Sequence, residues 1–159
     1  MIVKVVSGVL KIDMLFSPTM LRAMSTIKEA QQELIDEFSM FDDWQDKYAH
    51  IIELGRELDP ISEEFKDDAH KVKGCQSQVW LQAEPREGKL HLQAESDALI
   101  VQGLIALVLR IYQDRKPEEI LDADLGFFED IGLLSHLSMN RTNGLHSMIN
   151  TIRAYAASA

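Results

Sequence analysis

The residue with the most evident chemistry is the chain's one cysteine, Cys75. Free cysteines behave as small hydrophobic residues and usually have apolar neighbours in the sequence and the fold. Cys75 instead lies in the polar stretch Lys71-Val72-Lys73-Gly74-Cys75-Gln76-Ser77-Gln78, directly after a glycine that permits a turn and close approach of another backbone. We therefore expect an exposed functional thiol rather than a buried structural one.

Such a thiol reacts through its thiolate, which is about 3% of the total at pH 7 for an ordinary pKa of ~8.5. Lys71, Lys73 or a folded-in arginine could lower that pKa. A decrease of one unit gives roughly eightfold more thiolate but a less nucleophilic sulfur, so the net gain is only about threefold. Docking against another protein's sulfur supplies more, because effective molarities reach about 10⁵ M. The pattern therefore favours a thiol that is delivered to a partner.

The histidines offer two rival sites, a metal centre or a base for Cys75. A metal site is not expected, because no two histidines have the i, i+4 spacing of a helical zinc site. A cysteine–histidine hydrolase would need His136 folded beside Cys75. One cysteine also excludes an internal disulfide and cysteine-based zinc or iron–sulfur sites. The histidines are His50, His70, His91, His136 and His146.

Composition narrows the class of protein. The 159 residues are 46% hydrophobic and 26% charged, which is typical of one globular domain. With 16 Lys+Arg against 26 Asp+Glu, the formal net charge is −10, which argues against nucleic-acid binding. The most apolar run, 98–109, is shorter than the ~20 residues of a membrane span. Because the chain lacks a disulfide framework, we expect it to be cytoplasmic. Its negative charge and its short apolar run lead us to expect no nucleic-acid or membrane partner.

The first 23 residues stand apart from the rest. Charged residues interrupt their apolar positions, so they match neither a signal peptide nor a membrane span. Met14, Met20 and Met24 offer later start sites, and we expect translation to begin at one of them, with Met24 preferred. The predicted organisation is an N-terminal extension over 1–23 and one domain over 24–159.

Helical periodicity begins at Thr26. Thr26 and Glu29 form the pattern of a capping box, in which a hydroxyl at the helix start is followed three residues later by a carboxylate. Apolar residues then recur on one face as far as Phe38. A second amphipathic helix is predicted between Phe41 and Leu58, with Pro60 beyond its end.

After Asp68 the period changes to that of strands. A short extended segment at 70–73 is interrupted by Gly74-Cys75-Gln76. Alternating residues predict strands over 79–83 and 90–94, joined by the turn Pro85-Arg86-Glu87-Gly88. We predict a small antiparallel sheet of about three strands, with the Cys75 loop in its first connection.

The remaining patterns are helical. Ser96 is expected to cap a helix that has Asp97 in its first turn, and its apolar run predicts a central, buried helix. Short helices are predicted at Pro117 and at Phe127–Phe128. The whole order indicates an α+β fold in which helices flank a small antiparallel sheet.

The last predicted helix has an apolar face from Leu145 to Tyr155. Asn140 or Thr142 is expected to cap it. Arg141 then lies in the polar loop before the helix and is interpreted as an exposed cation.

Three separated motifs are recognisable as a set. The first is Gly74-Cys75-Gln76-Ser77-Gln78-Val79-Trp80, and the second is the Ser-Asp-Ala-Leu-Ile-Val-Gln-Gly-Leu-Ile-Ala run over 96–106. The third comprises Phe128, Leu134-Ser135-His136-Leu137, and Arg141 with Gly144-Leu145. Together, over roughly 25–157, they resemble the SufE family of sulfur acceptors that serve cysteine desulfurases.

The resemblance implies a fold like that of IscU-type scaffolds and a role as persulfide carrier. Cys75 would take sulfur from a pyridoxal-phosphate cysteine desulfurase of the SufS or CsdA type, stimulating it, and pass the sulfur to an iron–sulfur scaffold complex of the SufBCD type. The pyridoxal phosphate belongs to the desulfurase, so this chain is expected to hold no cofactor and to be an accessory protein rather than an enzyme. A homodimer is left open.

The resemblance also assigns site residues. Cys75 matches the acceptor cysteine, Asp97 a position that holds the loop region, and Arg141 an arginine implicated in desulfurase interaction or in the surroundings of the loop. Gly74, Gln76 and Ser77 shape the loop itself.

Three other functions remain open: a CsdE-like paralogue that feeds other sulfur sinks, a thiol enzyme using Cys75 with His136, and a plain interaction module in which Cys75 is incidental. Persulfides are easily oxidised or reduced. We therefore predict that Cys75 packs against apolar residues in the free protein and swings out when a partner binds.

Overall fold

A computed structural model describes residues 26–124 and 126–159, together with the backbone of two short paired strands, β1 (Val5–Val6) and β2 (Val9–Leu10). The predicted start at Met24 lies outside the described residues. The other elements are helices α1 (Ile27–Ser39) and α2 (Trp44–Arg56), strands β3 (Val79–Arg86) and β4 (Lys89–Ser96), and helices α3 (Leu99–Tyr112), α4 (Pro117–Asp122), α5 (Phe127–Asp130) and α6 (Met139–Ser158).

The first two helices begin at side-chain caps. Thr26 Oγ1 accepts a hydrogen bond from Glu29 N at 3.1 Å, and Glu29 Oε1 accepts one from Thr26 N at 3.4 Å, so the predicted capping box is confirmed. Asp43 caps α2 by accepting from Asp46 N at 2.9 Å. The predicted second helix is therefore present, but it begins three residues after Phe41 because the cap is Asp43.

Strands β3 and β4 form an antiparallel hairpin in the register Leu81↔Ala94. Glu87 (φ +53°) and Gly88 (φ +79°) form its two-residue turn, whose paired positive φ angles suit the twist of a hairpin. The α+β class is confirmed, with two strands in this sheet. The segment expected to supply a third contributes one antiparallel bridge, Lys71 to Trp80, because a 3₁₀ turn at Asp68–His70 leads into it.

Helix α3 is the centre of the fold, as its apolarity predicts. Ten of its fourteen residues are buried. It packs against α1, α2, α6 and strand β4. Along α2 the approach is closest where Gly103 faces Ile51 and Gly55. Among the described residues, no helix has the length and apolarity that crossing a membrane requires.

Candidate functional site

Cys75 lies on the loop between the Lys71 bridge and β3. Gly74, immediately before it, has φ +89°, a left-handed conformation that glycine adopts without strain. Residues with side chains would be strained there, so the glycine is what lets the chain turn and carry Cys75 inwards. The loop thus depends on this glycine, as its sequence indicates.

The Cys75 thiol faces helix α6. It is half-buried, packs against the hydrophobic core, and donates to the carbonyl oxygen of Gly144 over 3.7 Å. The expectation of an exposed thiol, drawn from its polar sequence neighbours, is therefore wrong, whereas the predicted packing of Cys75 against apolar residues is confirmed. The reason is tertiary: α6, some seventy residues later in the chain, supplies the cover that the local sequence lacks.

A cavity of about 290 Å³ adjoins the thiol. A water molecule takes about 30 Å³ of the liquid, so the space exceeds what one added sulfur atom needs. One part of its wall is apolar and the other carries hydroxyl, amide and guanidinium groups. The lining residues are Cys75, Gln76, Ser77, Val101, Leu104, Ser138, Asn140, Arg141, Gly144, Leu145 and Met148.

Burial raises the pKa of the Cys75 thiol above its ordinary value, because the thiolate loses hydration that the neutral thiol does not need. Burial is the cause of this shift, and the lowering that Lys71 or Lys73 could supply is not among its causes. Lys71 is directed instead to Asp68, whose carboxylate lies 3.3 Å from its ammonium. In this conformation the sulfur is kept in its less reactive, protonated form.

We predict that the rate of Cys75 alkylation increases at a higher pH in the folded protein than in the unfolded chain. The folded pKa is raised, so at any pH near neutrality a smaller fraction of the thiol is ionised. Rates of reaction with iodoacetamide between pH 7 and 10, with and without urea, measure this. The prediction is contradicted if the midpoint pH of the rate profile in the folded protein is equal to, or lower than, the midpoint pH in the unfolded chain.

Asp97 holds the end of the Cys75 loop. Its carboxylate accepts from Gln78 N at 3.1 Å, and its own N–H donates to Gln78 O at 3.3 Å. The expected position in the first turn of the helix is wrong, since α3 begins at Leu99 and Ser96 Oγ accepts from Ala98 N instead of capping the helix. The pair of bonds fixes the point where the loop enters β3.

Arg141 lies in the first turn of α6, because Ser138, not Asn140 or Thr142, caps that helix. The interpretation as an exposed loop cation is wrong. Its side chain is half-buried, lines the cavity, and donates from Nη1 to the hydroxyl of Tyr48 at 3.1 Å. The guanidinium is thus held near the thiol by a residue of α2.

The remaining predicted site residues are divided between the cavity and the loop surface. Gln76 and Ser77 line the cavity beside Cys75, whereas Gly74 is exposed. His136 stacks on the ring of Trp44, with centroids 4.0 Å apart, and does not line this cavity. Within the described ranges, no group of three His, Cys, Asp or Glu side chains is arranged to hold a metal ion.

Three residues of the site were missed as site residues. Tyr48 lies on α2, and its hydrogen bond with Arg141 joins residues 93 positions apart, a separation that no local pattern reveals. Gly144 and Ser147 lie on α6 against the Cys75 loop. The sequence does carry a sign of them in their spacing. Two small residues three positions apart lie on one side of a helix and leave room for a neighbouring backbone.

Comparisons with known proteins agree on a family. The family model described as the SufE Fe-S metabolism associated domain matches residues 32–156. An uncharacterized SufE-like protein of Rhizobium meliloti (strain 1021) is 43% identical over 129 residues, covering 78% of this chain and 92% of the relative. A second SufE-like protein, of Rhizobium etli, is 42% identical over 129 residues, covering 78% and 87%.

A solved structure supports the fold. The solution structure of a hypothetical protein from Thermus thermophilus superposes with a TM-score of 0.70, covering 82% of this chain and 95% of the other. At 19% identity, this similarity concerns the fold and not the chemistry.

Proposed function

Since the chain belongs to the SufE family, which is associated with iron–sulfur metabolism, we propose that it is a sulfur carrier that accepts sulfane sulfur on Cys75. The donor in this proposal is a pyridoxal-phosphate cysteine desulfurase holding a persulfide, and the acceptor after it is an iron–sulfur scaffold complex. The observation that carries the proposal is the thiol itself, half-buried beside a cavity with room for a further sulfur atom.

The transfer needs no outside oxidant or reductant. The Cys75 thiolate attacks the terminal sulfur of the donor persulfide, a new S–S bond forms, and the donor's own S–S bond breaks to leave a thiolate. The proton lost by Cys75 balances the proton that the departing thiolate takes up. The sulfane sulfur keeps its oxidation state, because one disulfide-like bond replaces another.

The cavity suits the product of this step. A persulfide exposed to solvent is open to oxidation and to reduction by small thiols. Val101, Leu104 and Met148 offer an apolar wall to its terminal sulfur, and Arg141 offers a cation to the anionic form. We infer that the sulfur is sheltered here between the donor and the scaffold, and that the chain acts as an accessory protein.

The test is the intact mass of the purified protein after incubation with a cysteine desulfurase and L-cysteine, without reductant. We expect a gain of one or more sulfur atoms that dithiothreitol removes. Because the chain has one cysteine, added mass that dithiothreitol removes is assigned to Cys75. A matched incubation without L-cysteine should show no gain. An unchanged mass with the desulfurase of the same organism would contradict the proposal.

A further inference from the structure

Helix α6 meets the Cys75 loop through two small residues, Gly144 and Ser147. They are three positions apart and therefore lie on the same side of the helix. The loop residues that contact them are consecutive: Cys75 lies against Gly144, and Gly74 lies against Ser147. Two backbone segments thus approach each other where bulky side chains would separate them.

The contact at Gly144 fixes the position of the sulfur. A Cβ atom on Gly144 would lie 3.3 Å from Cys75 Sγ and 3.9 Å from Cys75 Cβ, closer to the sulfur than an ordinary contact. The thiol also donates to the Gly144 carbonyl at 3.7 Å. The missing side chain at 144 is therefore what admits the sulfur to this place.

The contact at Ser147 fixes the turn before the cysteine. A Cβ on Gly74 would lie 2.8 Å from Ser147 Oγ, so the two residues are already in close contact. Gly74 has the left-handed φ that turns the chain towards α6. A larger residue at 147 would press on this turn rather than on the hydrophobic core, because Ser147 is half-buried.

We propose that Gly144 and Ser147 are positioning residues that form a seat for the loop and set how readily Cys75 leaves the cavity. The loop is anchored at its far end by the Asp97–Gln78 pair, so release from the seat is a local hinge movement about Gly74. This inference rests on the proposed function, in which the thiol must reach a sulfur atom on another protein.

The test compares Cys75 alkylation rates in the free protein. Ser147→Val crowds the turn at Gly74, and we expect iodoacetamide to react roughly fivefold faster or more than with wild type, as for an overpacked contact of about 1 kcal/mol. The matched control is Asn143→Val, which places the same residue at an exposed position of α6 and is expected to react at the wild-type rate. Equal rates for wild type and folded Ser147→Val overturn the proposal.

Gly144→Ala separates release of the loop from general unfolding. Alanine favours a helix over glycine by about 0.8–1 kcal/mol, so the thermal midpoint is expected to stay the same or rise. We expect alkylation to be faster at the same time, since the new Cβ displaces the sulfur. Faster alkylation together with a matching fall in thermal midpoint would mean that general unfolding exposes the Cys75 thiol, and would overturn the proposal.

The seat and the proposed function fail in different ways. If Ser147→Val is alkylated faster but wild type gains no sulfur from any desulfurase, the proposed seat is supported and the sulfur-carrier function is contradicted. If wild type gains sulfur but alkylation is insensitive to residues 144 and 147, the function stands and the seat is overturned.

Discussion

Cys75→Ser is expected to remain at its unmodified mass in a desulfurase reaction that fully modifies the wild type. A serine hydroxyl is not ionised near neutral pH and does not take up sulfane sulfur, so the attacking atom is lost. The substitution exchanges one small half-buried group for another, and the hydroxyl retains a donor for the Gly144 carbonyl. We expect the fold to be preserved, with a stability change within about 1 kcal/mol.

The same variant distinguishes the role of the thiol in sulfur transfer from the binding of the chain to the desulfurase. If the chain stimulates the desulfurase and its thiol acts after docking, we expect Cys75→Ser to bind the desulfurase and compete with wild type, so that stimulation falls as the variant is added. Asn143→Ser, an exposed change on α6, is the control and should stimulate like wild type. Full stimulation by Cys75→Ser would mean that the chain acts as an interaction module in which the thiol is incidental.

Local patterns predicted the elements that depend on near neighbours. The Thr26–Glu29 capping box, the hairpin around Glu87-Gly88 and the buried helix α3 each rest on residues within a few positions of one another. The cap of α6 was not predicted, because Ser138, Asn140 and Thr142 all carry capping side chains. The backbone at Ser138 decides among them, and that depends on how the preceding segment packs.

The environment of the thiol could not be predicted from its own neighbours in the sequence. The polar residues around Cys75 indicate exposure, yet Gly144 and the apolar residues of α3 and α6 enclose one side of it. Arg141 is likewise held by Tyr48 from the opposite part of the chain. The motif therefore predicts which residue reacts, whereas tertiary contacts determine how far its thiol is buried and raise its pKa.

Gly103→Ala is expected to cost about 2–4 kcal/mol of folding free energy, even though alanine is the better helix former. A Cβ on Gly103 would lie 2.3 Å from the carbonyl oxygen of Ile51 and 2.5 Å from its Cγ2. The carbonyl belongs to the backbone of α2, so it cannot turn aside, and the two helices must separate. For a chain of this length the loss corresponds to a thermal midpoint about 4–16 °C lower.

Gly144→Ala is the matched control for that prediction, since it makes the same change in the middle of another helix. Its new Cβ meets the movable sulfur of Cys75 at 3.3 Å and no backbone atom of a neighbouring helix. In thermal or urea unfolding, the free energies of unfolding of the two variants should therefore change in opposite directions or differ by at least about 2 kcal/mol. Similar stabilities would contradict the close crossing of α2 and α3. The crossing also matters for the site, because Val101 and Leu104 flank Gly103 on α3 and form part of the cavity wall beside Cys75.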